Sequence, residues 1–233
     1  MKQIIAMGGG GFSMEPNNQL LDQYILKQSG KVCPKICFLA TASGDSQDYI
    51  AHFYQFFEQQ SCQPSHLSIM NTNDIESFLL AQDIIYVGGG NTKNMLMLWK
   101  EHEIDKILHK AWSQGIVLAG ISAGAICWFE QGVTDSYGGD LAALQCLGFL
   151  RGSNCPHYDG EVVRRRSYHQ LITRGEIQPG YALDDGVAIH FIEQNVQAIV
   201  SSRPHAKAYQ VICDKQITEI ELKPAYLGAE WEE

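Results

Sequence analysis

Basic residues are scarce in this chain: 17 Lys and Arg stand against 26 Asp and Glu in 233 residues, a formal net charge of −9 spread along the sequence rather than gathered in a tail. Nucleic acids and anionic membranes want a basic surface, so neither is an expected partner. Long apolar runs are also missing. No stretch approaches the roughly 18 apolar residues that span a bilayer, and the opening MKQIIAMGGGG turns to glycine too soon for a secretory leader. The seven cysteines (Cys33, Cys37, Cys62, Cys127, Cys146, Cys155 and Cys213) are odd in number and lack the repeated spacing of a disulfide framework. Cys33 and Cys37 have no second pair to complete a zinc clasp. The expectation is a soluble protein of the reducing cytosol.

What is present is an alternation. Short apolar runs end in glycine or small residues: Gln3–Met7 before Gly8-Gly9-Gly10-Gly11, Val32–Leu39 before Ala40–Gly44, Ile84–Val87 before Gly88-Gly89-Gly90, and Ile116–Ile121 before Ser122. Each reads as a buried strand of a parallel sheet. Between them lie helical patterns at Leu20–Gln28, Gln47–Gln60, Thr92–Trp99 and Ile104–Ser113; in the second, Ile50, Phe53, Tyr54 and Phe57 share one face. Such alternation implies right-handed crossovers with helices on both faces of the sheet. Asp135–His157 reads as a looser stretch and Arg164–Thr173 as a helix. Val187–Ile192, Val196–Val200, Ala208–Cys213 and Ile217–Leu222 read as short strands, with Asp214-Lys215 as a hairpin turn. The expected fold is one α/β domain over residues 1–233, mostly parallel, with an antiparallel C-terminal edge. Ligands of such sheets bind beyond the carboxyl ends of the strands. The Gly8–Phe12, Thr41–Ser46 and Gly88–Thr92 loops and the Ser122 turn should therefore share one edge.

Gly120-Ile121-Ser122-Ala123-Gly124 matches G-x-S-x-G, with β-rich VLAGI before it and helix-compatible AGAICWFEQ after it. A serine forced into so tight a strand-to-helix turn presents an exposed hydroxyl beside free helix-start amides, the arrangement of a nucleophile elbow. Such a serine needs a base, and the base an orienting acid. Of eight histidines, His157 lies in a loop bounded by Pro156 and Gly160, where functional residues are often placed; His169, on a helix, reads as a surface residue. His190 and His205 would serve instead in an α/β-hydrolase esterase, whose chain order is Ser, Asp, His. For the acid, Asp184-Asp185-Gly186 forms a polar turn before a strand and leaves two candidates. A nucleotide-phosphate cradle at Gly8–Ser13 is the other alternative, but it lacks the last glycine of G-x-G-x-x-G.

IIYVGGGNT at Ile84–Thr92, GISAGAICWF at Gly120–Phe129, GVTDS at Gly132–Ser136, NCPHYDGE at Asn154–Glu161 and ALDDGVAI at Ala182–Ile189 resemble the peptidase E (α-aspartyl dipeptidase) and cyanophycinase serine peptidases, over most of the chain. These are relatives in fold of the class I glutamine amidotransferases, flavodoxin-like in architecture. The resemblance implies Ser122 as nucleophile, His157 as base and an oxyanion hole from the Gly89 and Ala123 amides. The family's usual third member is a glutamate, and the matching position here is Asp185, with Asp184 as fallback. Gly90, Asn91 and Thr92 would bind substrate polar groups, Asp135 a substrate α-amino group, and Arg164 or Arg165 a substrate carboxylate. The implied substrate is a short peptide with N-terminal aspartate, with no metal or organic cofactor; a homodimer is the expected assembly.

Overall fold

The computed structural model describes residues 1–228. Its framework is an eight-stranded sheet whose centre is parallel: β1 (Gln3–Met7), β2 (Lys35–Leu39), β3 (Gln63–His66), β4 (Ile84–Val87) and β5 (Val117–Ile121), in the spatial order β3-β2-β4-β5-β1. Four of these are near-continuous apolar runs because both faces are covered. Alternate residues serve opposite cores. Ile5, Met7, Ile36 and Phe38 pack under α1 (Gly11–Met14), α2 (Leu20–Gln28) and α3 (Gln47–Phe57). Ile4, Ala6, Cys37 and Leu39 pack under α4 (Ile75–Leu80), α5 (Thr92–Glu101) and α6 (Ile104–Ser113). Asn91 caps α5 by accepting from the Asn94 amide at 2.9 Å, which fixes where the glycine loop after β4 ends. Past β1 the sheet continues through antiparallel β10 (Val187–Ile192) and β11 (Asn195–Ser201) to the short β14 (Ala225–Tyr226).

The structure departs from the expected layout after Ser122. The helix there, α7 (Ala123–Ile126), is a single turn, and Phe129 already belongs to a strand. Gly132 passes so close to α7 that a Cβ on it would stand 1.9 Å from Ile126 Cγ2, while Trp128 and Phe129 are wholly buried. Tertiary packing overrides the helical pattern of AICWFEQ. The stretch read as loose holds β7 (Ala142–Gln145) and β8 (Leu150–Cys155). With β6 (Phe129–Thr134), β9 (Gly180–Leu183), β12 (Ala208–Cys213) and β13 (Ile217–Leu222) they form a second sheet, ordered β13-β12-β9-β8-β6-β7. The C-terminal strands are thus divided between two sheets rather than forming one edge. The hairpin at Asp214-Lys215 is present, with Cys213 paired to Ile217, and α8 (Arg164–Thr173) packs between β7 and β13. No helix among the described residues is long and apolar enough to cross a membrane.

Candidate active site

Ser122 sits between β5 and α7 with φ 55° and ψ −111°, a conformation that costs a non-glycine residue about 1–3 kcal/mol and persists only where surroundings impose it. Here they do. A Cβ on Gly120 would meet the Gly124 carbonyl oxygen at 2.3 Å, and one on Gly124 would meet the Val87 carbonyl oxygen at 2.2 Å. Both glycines of the motif are thus demanded by contact, and the half-buried Ser122 is left standing at the sheet edge.

His157 follows β8 and also takes a left-handed backbone, φ 53°. Its Nδ1 meets Asp185 Oδ1 at 2.6 Å, both side chains being largely buried, so Nε2 is the ring nitrogen left for chemistry. Asp185 lies in the turn between β9 and β10. Its own amide donates to Asp159 Oδ1 at 2.8 Å, tying the acid-bearing turn back to the loop that carries the base. The shorter acid reaches because nothing stands in its way: a Cβ on Gly9 would lie 1.9 Å from Asp185 Oδ1, and one on Gly160 would lie 2.7 Å from Oδ2. Asp184 points elsewhere; its Oδ2 accepts from the Lys207 amide at 2.9 Å, and burial pushes its carboxyl up to about 6. The two acids left open by the sequence are separated by this geometry. His190 is separated too: its ring nitrogens meet Tyr24 Oη at 2.9 Å and Gln3 Oε1 at 3.1 Å, and burial lowers it to about 4. His205 is exposed.

Three successive carbonyls at the end of β1 gather these elements. Met7 O accepts the Ser122 amide at 3.2 Å, Gly8 O the His157 amide at 3.2 Å, and Gly9 O the amide of Gly186, beside Asp185, at 3.0 Å. One strand end thus receives a backbone N–H from the position of each candidate group or its neighbour. The glycine run that might have cradled a phosphate is turned to this purpose.

Around this centre, Gly89 abuts Ser122, a Cβ there lying 3.9 Å from Ser122 Oγ, and its amide donates to Tyr49 Oη at 3.3 Å. Ala123 opens α7, and its amide precedes the first bonds of the turn, which the Ala125 and Ile126 amides make to Ser122 O at 2.9 Å. Gly90 is exposed with φ 138°, Asn91 is occupied as a cap and as a donor to Ser136 O at 3.2 Å, and Thr92 is buried. Asp135 is exposed in a cavity of about 550 Å³ together with Glu161, Arg166 and Arg174. The two arginines expected to meet a substrate carboxylate both form ion pairs within the chain. Arg164, 4% exposed, forks onto Glu161 at 2.8 and 2.9 Å and donates to Val133 O at 3.4 Å. Arg165 is bound by Glu219, with Nε to Oε1 at 2.9 Å, and lies over the rings of Tyr158 and Tyr209. Each guanidinium already holds a carboxylate of the chain itself. His169, read as a surface residue, meets Glu219 at 2.8 Å and Tyr158 Oη at 2.9 Å. Asp159, Tyr49 and Glu219 are the residues that sequence reasoning passed over. The first sits in the NCPHYDGE segment and the second just beyond the Thr41–Ser46 loop, but nothing local marks Glu219.

The chain is similar to known peptidases along its length. The model of Peptidase family S51 matches residues 4–199. An uncharacterized peptidase of Bacillus subtilis strain 168, YgaJ, is 60% identical over 231 residues, which cover 98% of this chain and 100% of that protein. Among solved structures, a candidate peptidase E of Listeria monocytogenes EGD-e superposes with a TM-score of 0.63 at 20% identity, over 86% of this chain and 98% of the other. A peptidase from an acI-B1 Actinobacterium gives a TM-score of 0.73 at 15% identity, over 96% of this chain and 95% of the other, so the fold is shared at low identity. Glu219 and its strand lie beyond the residues that the family model matches. A family match of this extent, joined to so close a relative, makes the chain a member of peptidase family S51.

Proposed function

We propose that the chain is a serine peptidase acting on short peptides, dipeptides with N-terminal aspartate foremost, through Ser122, His157 and Asp185. The observation that carries this reading is the His157–Asp185 contact at 2.6 Å, held to the strained Ser122 turn by consecutive carbonyls of β1. His157 Nε2 takes the Ser122 proton as Oγ attacks the scissile carbonyl carbon, and the Gly89 and Ala123 amides receive the oxyanion. The imidazolium, steadied by Asp185, then protonates the leaving amine, and water hydrolyses the acyl-enzyme by the same proton route reversed. For the substrate's own charges, Asp135 suits the α-ammonium. With Arg164 and Arg165 engaged internally, Arg166 and Arg174 in the same cavity are the cations that suit the aspartyl carboxylate.

The test is intact-mass spectrometry after a fluorophosphonate, followed by an Asp-Xaa dipeptide panel. One adduct located at Ser122, together with dipeptide cleavage, is the expected outcome. Ser122→Ala should lose the adduct and lower turnover by at least about 10³-fold; a variant that still cleaves at the parent rate would sink the assignment. Adduct formation with no preference for N-terminal aspartate would keep the serine peptidase and discard the substrate.

A further inference from the structure

The Gly89 amide already has a partner, and the partner has chemistry of its own. It donates to the hydroxyl of Tyr49, in the first turn of α3, at 3.3 Å. The Tyr49 ring is fixed by its surroundings. Phe38 stands edge-on at 5.0 Å between ring centroids, Phe12 lies at 5.7 Å, and Gly88 leaves room where a Cβ would be 2.9 Å from Tyr49 Cε1. Accepting the Gly89 N–H uses a lone pair of Tyr49 Oη and leaves the phenolic proton free to be donated. Ser13 is the other side-chain partner of this hydroxyl; its own O–H donates to Gly10 O at 3.4 Å, so Ser13 Oγ can accept the phenolic proton in the free protein and release it to a better acceptor.

A donor shared by two acceptors brings those acceptors together. If the Gly89 N–H receives the oxyanion, then the oxyanion and Tyr49 Oη both lie about 3 Å from the same nitrogen, on the side its hydrogen faces. Two acceptors that share one N–H can approach to about 3 Å of one another, which is hydrogen-bond reach. We propose, resting on the serine-peptidase reading above, that Tyr49 is a third oxyanion donor of this site. In the free protein its oxygen occupies the Gly89 N–H. As Ser122 Oγ bonds to the carbonyl carbon, the π pair moves onto the carbonyl oxygen, and the Tyr49 O–H turns to donate to it alongside the Gly89 and Ala123 amides. No proton changes owner at Tyr49, since the Ser122 proton goes to His157 and the phenol keeps its own. Accepting an N–H polarises a hydroxyl and makes it the better donor. Burial holds the phenol above its ordinary range, so it stays protonated wherever a histidine base operates.

Tyr49→Phe keeps the ring and its packing and removes only the hydroxyl. The readouts are the second-order rate of fluorophosphonate labelling at Ser122, whose phosphoryl oxygen enters the same hole, and kcat and KM on an aspartyl dipeptide. The expected result is a fall of about 10²-fold in labelling rate and in kcat, with KM within about two-fold and an almost unchanged unfolding midpoint. If the variant unfolds early, labelling at a temperature below its midpoint, scaled by the folded fraction from circular dichroism, yields the same ratio. Labelling and turnover equal to the parent, or faster because the Gly89 amide is freed, would overturn the proposal and leave the hydroxyl as a mere occupant of the hole. A parent protein that takes no label at Ser122 would instead bring down the hydrolase reading, and this role with it. That outcome is distinguishable because parent and variant would be equally inert.

Discussion

The two sheets contribute to the site in different ways. The eight-stranded sheet supplies Ser122 from the end of β5 and the carbonyls of β1. The six-stranded sheet supplies His157 from the end of β8, and Asp185 lies in the turn where the chain leaves β9 for β10, crossing from the second sheet to the first. The first sheet is buried on both faces at its centre; the second is half open, β13 alternating between intermediate and exposed positions. The candidate nucleophile and its candidate base thus come from different layers, with the Gly8-Gly9 segment as the seam. Each sheet also has an acid outside the site, Asp22 wholly buried under the first and Glu219 half-buried on the second. They are opposites: Asp22 has no well-aligned hydrogen-bond partner, whereas Glu219 has several.

The seam is where the comparison breaks most sharply. Gly9 is not in a glycine-only conformation, so alanine is allowed there by the backbone and blocked by Asp185, whose Oδ1 and Cγ would lie 1.9 and 2.7 Å from the added Cβ, with His157 Nδ1 at 3.1 Å. Gly9→Ala should therefore fold and yet part the acid from His157. Turnover and Ser122 labelling should fall by about 10³–10⁴-fold, the scale of losing a triad's orienting acid. That is about 4 kcal/mol or more in transition-state terms. Kinetics with a thermal melt check it, and near-parent activity would mean that the layers meet more loosely than the contacts imply.

Asp22 tests how much the first layer tolerates. It is wholly buried on α2 beside Tyr86 and Gly11, and neither its oxygens nor the Tyr86 hydroxyl has a well-aligned partner. Burial pushes its carboxyl up to about 8, against the opposing pull of the Phe12 amide and Tyr86. An unfolded aspartate titrates near 3.8, so between there and about 8 the folded chain holds the extra proton and stability falls as pH rises. The parent should lose a few kcal/mol between pH 4 and pH 8 through this group, about 1.4 kcal/mol per unit at most. Asp22→Asn, neutral throughout, should remove that slope and be the more stable form at pH 8. Urea denaturation at both pH values measures it; parallel pH dependence in parent and variant would refute the burial argument.

The same contrast explains what was legible. β1, β2, β4 and β5 of the first sheet are near-continuous apolar runs because both faces are covered, and the glycines after β1 and β4 report close approach at the site edge. From these, the parallel core and the four loops at one edge could be read. The second sheet left weaker marks. Phe129-Glu130-Gln131-Gly132 carries a helix-compatible pattern, yet it is a strand, paired with β7 and β8 and passing Gly132 against Ile126. Asp185 could not be told from Asp184 because the choice rests on the direction of adjacent side chains, decided by Gly9 and Gly160, far away in sequence. Arg164 and Arg165 looked free for substrate because their carboxylate partners differ in visibility: Glu161 is three residues from Arg164, but Glu219 reaches Arg165 from a strand much later in the chain.

Glu219 is the smallest and most discriminating test. It accepts from Arg165, His169 and Tyr158, and Tyr158 directly follows His157. Burial alone would raise its carboxyl, but Arg165 above all, with Tyr158 and His169, holds it below the ordinary glutamate value. Glu219→Gln keeps the shape while setting an amide nitrogen against the donor fork of Arg165, so one strong bond becomes a repulsion. The expected loss is about 1–2 kcal/mol of stability, the scale of a charged hydrogen bond. Tyr158 retains its buried ring and its amide bond to Leu183 O at 2.9 Å, so kcat should fall only several-fold. A melt beside a kcat measurement separates the two effects. A stability loss with modest kinetic change leaves the base held mainly by the β1 carbonyls and Asp185; a kinetic loss as deep as that of Gly9→Ala would make this brace of the second sheet equal to the seam itself.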